Sequence, residues 1–557
     1  MNHKIDKYFI LIFLLIVFHL LFNSLWIIIN KNPLDFDPIG HSFATINSAH
    51  YLGSHLLSFS LKDFMKISPG YPNFTQTAIL PLVFLFGNYW KVIQFSGTIF
   101  FLLAIIAIYL YVKTISQNGR LAFFSAFFYS FFISIVQYSR LHMLDIPLTA
   151  MFFFSLYLWE KFQRTYKYRY LYLSAVTIAF AQLSKWHAVV FFFIPGVFLL
   201  RFLVKNRRMF SRRLIWPILA GLLSIMLIAS WYFYNFSDFI RLGTINYLGE
   251  ADDPKKFFSL ATIFYYPKLI VNFQIHFFGA IFLLMAGLPG AFRRKKYLLI
   301  PLLTTVFSYL FFSFFVPNKN IRVVFPVMPF VALFMAEGVE KLLFSARGSW
   351  LNWMASIFSW VVVLYMVVAY FVLSFGFPIN LNWRYSVRFP LAGWIDLIYL
   401  KSYPVNLLPT RQTIDYKDII ETILSQKGDH SRLKVLVGIH QSYFHEGTLG
   451  LEIYMENRQN LEQAYETLSK KIELIPSEYL LNKNQSLVNS LDDIDIILTS
   501  EKNSIHPEEV LNPLYEPLRS LQNFLKEGND FFFRKVASFP LPNEDVLLIY
   551  VNKRLVR

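Results

Sequence analysis

FILIFLLIVFHLLFNSLWIII, residues 9–29, decides the fold class. At 1.5 Å rise per residue, a helix of this length covers the ~30 Å hydrocarbon thickness of a bilayer. The run is long for a signal peptide and has no small-residue cleavage site, so it reads as a retained span. The same texture recurs near Tyr89–Val112, Leu121–Tyr138, Leu144–Trp159, Tyr170–Ser184, Ala188–Val204, Leu214–Tyr234, Val271–Gly290, Leu298–Val316, Val323–Lys341 and Leu351–Phe375, giving about eleven helices. Across 557 residues, 55% are hydrophobic and 16% charged, and the mean hydropathy is +0.44. Soluble domains carry roughly a quarter charged residues, so lipid must solvate much of this chain.

The net charge of +17 belongs to membrane topology rather than to nucleic-acid binding. Its cations gather in short loops: Lys113 and Arg120, Lys161 to Arg169, Lys205 to Arg213, Arg293 to Lys296, and Lys341 to Arg347. With a cytoplasmic N-terminus every one of these loops falls inside, as the positive-inside rule requires. An odd number of spans then places the C-terminal part outside the cell membrane, with the loops Asn30–Ala78, Ser139–Met143, Lys185–His187, Phe236–Ile270 and Pro317–Arg322. Ala78–Gly87 is apolar but too short to span, and is expected as a buried or re-entrant helix. Only His19 and His276 lie as ionisable groups well inside the spans, each suited to an interhelical hydrogen bond or a water contact. Proton-coupled transport and voltage sensing need buried acids or arginines near the midplane, so this pattern counts against both. With no cysteine, disulfide and thiolate chemistry are excluded.

From Lys401 the texture changes to mixed charge and shorter apolar runs, so residues 1–400 form a membrane domain and 401–557 a soluble α/β domain. Helices are expected at Tyr416–Ser425, Gln459–Ile472 and Leu511–Lys526, and strands at Leu433–Ile439 and Ile494–Leu498, with Phe531–Phe539 and Asp545–Val551 pairing at the end. No phosphate-binding glycine loop is present.

The polar residues of the outer loops are where chemistry can sit. Asp37 precedes Pro38, the pattern of a helix N-cap followed by proline, and opens a segment with apolar residues at near-helical spacing from Ile39 to Leu57. That segment reads as an amphipathic helix in the outer interface, with juxtamembrane helices over 31–77. A carboxylate there is reachable from water and lipid alike, so Asp37 is a candidate general base as well as a cap. His41 follows one helical turn later. Arg140, His142 and Asp145 share one tight turn, where an Arg140–Asp145 ion pair competes with a phosphate-binding arginine and a carboxylate that holds a sugar hydroxyl. Lys185 and Arg322 add cations to the same face, either as phosphate ligands or as snorkelling anchors. Asp35-Phe36-Asp37 spells Asp-x-Asp with His41, His50 and His55 downstream, but such a match is frequent by chance and no nucleotide diphosphate is expected outside; neither a metal nor a cofactor is expected.

Taken in order, Asp37, Tyr71-Pro72, Arg140-Leu141-His142-Met143-Leu144-Asp145-Ile146-Pro147, Leu183-Ser184-Lys185-Trp186 and Asn320-Ile321-Arg322-Val323-Val324-Phe325-Pro326-Val327-Met328-Pro329 resemble the GT-C glycosyltransferases. The likeness is greatest to glycosyltransferase family 39, which includes protein O-mannosyltransferases and lipid A aminoarabinose transferases, and it covers roughly residues 1–400. The resemblance implies an enzyme that moves a sugar, with inversion, from a polyprenyl-phosphate donor to a lipid, glycan or protein acceptor. It implies Asp37 as the catalytic carboxylate, Asp145 as the second, and Arg140, Lys185 and Arg322 at the donor phosphate, with His41 and His142 as further substrate contacts. Family members commonly carry Asp-Glu in the first outer loop. Pro38 stands in place of the Glu, which leaves His41 or Asp35 to substitute, or a chain without transfer activity. A lipid flippase or transporter and a non-catalytic sugar-lipid-binding protein are the rival classes.

This topology is tested by a C-terminal alkaline phosphatase fusion, which is expected to be active outside the membrane. A reporter that works only in the cytoplasm, active when fused at the same position, would reverse the orientation.

Overall fold

The computed structural model describes residues 7–555 except 34–35, 88, 207–214, 249–259, 276–282, 290–294, 317–318, 345–349, 378–382, 390–392, 401–407, 428–431, 440, 442–443, 457–470, 482–490, 492, 502–514, 527–531 and 543–544. Its contacts form two compact units, one of Met1–Trp26, Ala44–Leu85 and Ile93–Ser402, the other of Ile27–Phe43, Phe86–Val92 and Tyr403–Arg557. The protein is a multi-pass membrane protein: among the described residues seven helices are long and apolar enough to span, within Lys7–Ile29, Trp90–Ser116, Ala188–Lys205, Ile215–Thr244, Lys296–Phe314, Ile321–Leu342 and Ser356–Phe375.

In chain order the helices are α1 (Lys7–Ile29), α2 (Phe36–Ser54), the short α3 (Leu61–Lys66), α4 (Phe74–Ala78) and α5 (Leu80–Phe86), then α6 (Trp90–Ser116), α7 (Gly119–Phe131), α8 (Ile133–Tyr138), α9 (Asp145–Thr165), α10 (Tyr168–Ser184), α11 (Ala188–Lys205), α12 (Ile215–Leu248), α13 (Leu260–Leu269), α14 (Leu299–Phe314), α15 (Met328–Val339) and α16 (Trp350–Phe375). The expected span Leu121–Tyr138 is two helices, because Phe132 adopts extended backbone (ψ 129°) between α7 and α8. Asn118 starts α7, its Oδ1 accepting from the Arg120 and Leu121 amides at 3.0 and 3.2 Å. The expected short helix over Ala78–Gly87 is α5, Leu80–Phe86, with Phe84 and Leu85 exposed as lipid-facing groups are. The expected span at Val271–Gly290 begins as a single π-helical turn over Ile270–Gln274, and His276 lies outside the described residues.

Helix α15 is buried along its whole length, an arrangement suited to the centre of a bundle. A Cβ on Gly338 would lie 2.2 Å from the Leu283 carbonyl oxygen, and one on Gly287 would lie 1.9 Å from that of Phe334, so α15 and residues 283–289 touch backbone to backbone. Just beyond α15, Arg120 forks onto Glu340, with Nε to Oε2 at 2.7 Å. Lys295 meets Glu337 at 2.5 Å, and the Tyr297 hydroxyl also donates to Glu337. Arg322 lies in the 3₁₀ turn Ile321–Val327 that leads into α15. The twelve residues of α15 at 1.5 Å rise give it a length of about 18 Å between these charged ends.

After α16 a hairpin pairs β1 (Trp383–Phe389) with β2 (Gly393–Leu400), an element the sequence reading did not assign. In the second unit β3 (Leu433–Gly438), β4 (Ile472–Ile475), β5 (Ile496–Ser500), β6 (Phe533–Leu541) and β7 (Asp545–Asn552) form one mixed sheet in the order β4-β3-β5-β7-β6. The first three are parallel and the last two antiparallel, with β6 and β7 paired as their alternation predicts. Helices α17 (Tyr416–Ser425), α18 (Glu446–Glu456) and α19 (Tyr515–Lys526) accompany the sheet. Leu521 of α19 packs with Leu436, Ile497 and Phe533 in its core. Most of the expected helix Gln459–Ile472 lies outside the described residues, and Ile472 itself opens β4.

Gly97 of α6 decides one further packing. A Cβ there would lie 2.1 Å from the Leu141 carbonyl oxygen and 3.1 Å from that of Ser139. Gly97→Ala is therefore expected to lower stability by at least about 2 kcal/mol, read as a lower thermal unfolding midpoint in detergent; an unchanged midpoint would mean that the turn yields freely.

Candidate functional site

The turn from Ser139 to Leu144 carries two of the sequence-predicted residues, Arg140 and His142, and its non-helical backbone is wholly buried. Buried polar groups need partners: the amides of Ser139, Arg140 and Leu141 donate to α8 carbonyls at 2.9, 3.0 and 3.3 Å, and other helices meet the rest of the turn. Three consecutive residues of α6 serve it. Ser96 Oγ lies 2.8 Å from His142 Nδ1, Gly97 leaves room for the Leu141 carbonyl, and Thr98 Oγ1 donates to the Ser139 carbonyl at 3.1 Å. From α1, Asn23 Nδ2 donates to Ser139 Oγ at 2.9 Å. Thr45 Oγ1 of α2 sits 3.0 Å from His142 Nε2, so both ring nitrogens of His142 have protein partners.

Arg140 is not paired with Asp145. Its Nε donates to Asn23 Oδ1 at 3.0 Å and its Nη2 to Ser374 Oγ at 2.9 Å. The rings of Trp26, Tyr370 and Phe375 lie 5.3, 5.4 and 5.8 Å from the guanidinium carbon, leaving the residue 1% exposed. Burial pulls its pKa below the usual arginine range, and π faces and neutral acceptors offset that penalty. Arg140 thus joins α1, the turn and α16.

Asp145, fully buried at the start of α9, accepts instead from Lys185 Nζ at 2.8 Å, 40 residues away at the end of α10. The pair uses only Oδ1: Asp145 Oδ2 has no hydrogen-bond partner among the described residues. Two residues beyond Lys185, the buried His187 likewise has an Nε2 without one. Burial first, then the positive fields of Lys185 and Arg322, holds His187 well below the usual histidine pKa and therefore neutral. Arg322 closes this side. Its backbone NH and Nε donate to Asn320 Oδ1 at 3.0 and 3.1 Å, its guanidinium carbon lies 5.8 Å from the Tyr138 ring centre, and Nη1 is 3.9 Å from Met143 Sδ. Lys319, the neighbouring cation, is held elsewhere. Its ammonium donates to the carbonyls of Phe312, Ser313 and Val316 at the end of α14, and burial lowers its pKa to about 8.

The second unit holds Asp37 and His41. Helix α2 starts at Phe36, so Asp37 is half-buried in the first turn rather than at the cap, where its charge complements the helix dipole. His41 is buried one turn on, and Asp35 lies outside the described residues. His19, expected in an interhelical hydrogen bond, is instead enclosed by Phe18, Phe101, Phe131 and Tyr370, and neither ring nitrogen has a partner among the described residues. Sequence reading passed over Asn23, Ser96, Thr98 and Ser374, which look like ordinary span residues, and saw His187 only as part of a polar loop.

Residues 75–234 match the family model described as dolichyl-phosphate-mannose-protein mannosyltransferase. That stretch contains the buried turn, Lys185 and His187. The crystal structure of ArnT from Cupriavidus metallidurans in the apo state aligns over 98% of this chain and 98% of its own, with a TM-score of 0.53 and 12% identity. The fold is that of the GT-C glycosyltransferases. The same ArnT bound to undecaprenyl phosphate aligns over 98% of each chain with a TM-score of 0.52 and 12% identity. A search of curated proteins found no match. Within this GT-C fold, the likeness to glycosyltransferase family 39 read from the motifs stands.

Arg140→Lys tests the clamp. Lysine keeps the charge but cannot reach Asn23 and Ser374 together or stack as a plane, so a loss of about 2–4 kcal/mol is expected, seen as a lower unfolding midpoint. A midpoint equal to wild type would free Arg140 for a role with substrate.

Proposed function

We propose that the protein transfers a sugar from a polyprenyl-phosphate donor to a hydroxyl-bearing lipid, glycan or protein acceptor at the outer face of the cell membrane. The observation that carries this reading is the buried pair Asp145–Lys185, with one carboxylate oxygen and the neighbouring His187 Nε2 left without hydrogen-bond partners among the described residues, beside Arg322. Buried polar atoms left in that state are ones a ligand is suited to satisfy. Two cations, a neutral imidazole and a carboxylate match a phosphate bonded to a sugar: Lys185 and Arg322 meet the phosphate, while Asp145 Oδ2 accepts from a sugar hydroxyl. In this reading Arg140 is a clamp and not a phosphate ligand.

In the reaction the acceptor oxygen attacks the anomeric carbon as its proton passes to the Asp37 carboxylate. The bond from that carbon to the phosphate oxygen breaks, and the polyprenyl phosphate leaves with the electron pair. A phosphate departs without protonation, so one base and cationic stabilisation suffice, unlike the two-carboxylate chemistry of glycosidases. Pro38, standing where family 39 commonly has a second acid, is compatible with this single-base scheme.

Asp37→Asn gives a direct test with a radiolabelled polyprenyl-phosphate sugar. Asparagine suits a helix start but cannot take a proton at neutral pH. The variant is expected to fold and bind donor normally while single-turnover transfer falls on the order of 10²–10⁴-fold. Wild-type transfer would remove Asp37 as the base.

A further inference from the structure

Two buried asparagines precede Asp37, and both are held by the C-terminal part of the chain. Asn30 Oδ1 accepts from the backbone amide and the Oγ1 of Thr410 at 3.0 and 2.7 Å, and the Lys31 amide donates to the Thr410 carbonyl at 2.7 Å. Asn32 Nδ2 donates to the Gln412 carbonyl at 2.8 Å, and its Oδ1 accepts from the Ile414 amide at 3.1 Å. Asn30 and Asn32 are both 0% exposed. These five bonds join residues nearly 400 apart in sequence into a short two-sided clasp, and four of them use backbone groups of 410–414, so they fix the path of the chain rather than merely one side chain.

A second contact follows Asp37. Helix α18 turns two glycines toward the first turns of α2: a Cβ on Gly447 would lie 3.4 Å from Ile39 Cγ2, and one on Gly450 would lie 3.8 Å from Phe43 Cζ. The same Cβ on Gly450 would lie 3.7 Å from Leu474 Cδ1 of β4, so α18, β4 and α2 meet at this glycine. Asp37 therefore lies between two anchors supplied by the same folded unit, one five residues before it and one two residues after.

We propose that the C-terminal domain is a positioning element for the base, with Asn30 and Asn32 as its positioning residues and the glycine face of α18 as its second hold. This rests on Asp37 being the general base. It explains why a helix start in the outer interface, with apolar residues on one face, holds a carboxylate in one place without a long loop of its own. A catalytic group displaced by as little as 1 Å loses much of its effect.

The test uses the full-length chain. Asn32→Ala removes two bonds, and Asn32→Asp keeps the acceptor for the Ile414 amide as a graded control. Gly450→Leu pushes on Phe43 from the other anchor. Amide hydrogen exchange over residues 36–43 is expected to speed up at least about tenfold in Asn32→Ala and Gly450→Leu and less in Asn32→Asp. Single-turnover transfer is expected to fall about 10–100-fold in the first two with donor affinity unchanged, and Asn32→Ala is expected to cause no further loss in an Asp37→Asn background. Exchange unchanged from wild type, an unchanged rate, or the same loss in both backgrounds would each overturn the proposal. Full activity of Asp37→Asn alone would instead remove the base on which it rests, and the exchange measurement would still report whether the clasp exists.

Discussion

Closure of the backbone at the Ser139–Leu144 turn is the constraint on which the membrane unit depends. The amides of Ser139, Arg140 and Leu141 donate back to the α8 carbonyls of Ile135, Gln137 and Tyr138, which leaves the Ser139 carbonyl and the side chains of Ser139, Arg140 and His142 to partners from other helices. Here Asn23, Thr45, Ser96, Thr98 and Ser374 converge on it from four helices. Gly97 permits the approach, and Arg140 ties the turn to α1 and α16 through its planar donors. Of the Arg140 nitrogens, Nη1 has no hydrogen-bond partner among the described residues, while the other bonds of the network fix where Asp145 enters α9.

Charge is placed under the same constraint. Attraction within a buried ion pair offsets its desolvation only with good geometry, and the pairs of this chain sit at helix ends rather than mid-span. Glu337 and Glu340 meet Lys295 and Arg120 at one end of α15, while Asp145 meets Lys185 on the side where Arg322 lies. Of these two groups, the second keeps buried polar atoms without hydrogen-bond partners among the described residues, at Asp145 Oδ2 and His187 Nε2.

The apolar blocks, the basic loops and the change of texture near Lys401 carried the fold class, because 20-residue periodicity and loop charge are local properties of a chain in lipid. The terminal hairpin and Tyr416–Ser425 were legible from another local property, the two-residue and 3.6-residue apolar periods of strand and helix. The break at Phe132 was not: a phenylalanine in an apolar run carries no turn signal. Nor was the choice of Lys185 over Arg140 as partner of Asp145, which rests on the meeting of α9 and α10 and on three aromatic rings drawn from α1 and α16. Which polar groups could matter was readable at Arg140, Asp145, Lys185 and Arg322; which of them clamp and which remain available is a property of packing.

The central claim is that Lys185 and Arg322, and not Arg140, form the seat for the donor phosphate. A structure of this chain with undecaprenyl phosphate tests it most directly. The account predicts phosphate oxygens within hydrogen-bond distance of Lys185 Nζ and the Arg322 guanidinium, with Arg140 still bonded to Asn23 and Ser374. A phosphate bound to Arg140, or seated away from Lys185 and Arg322, would contradict it.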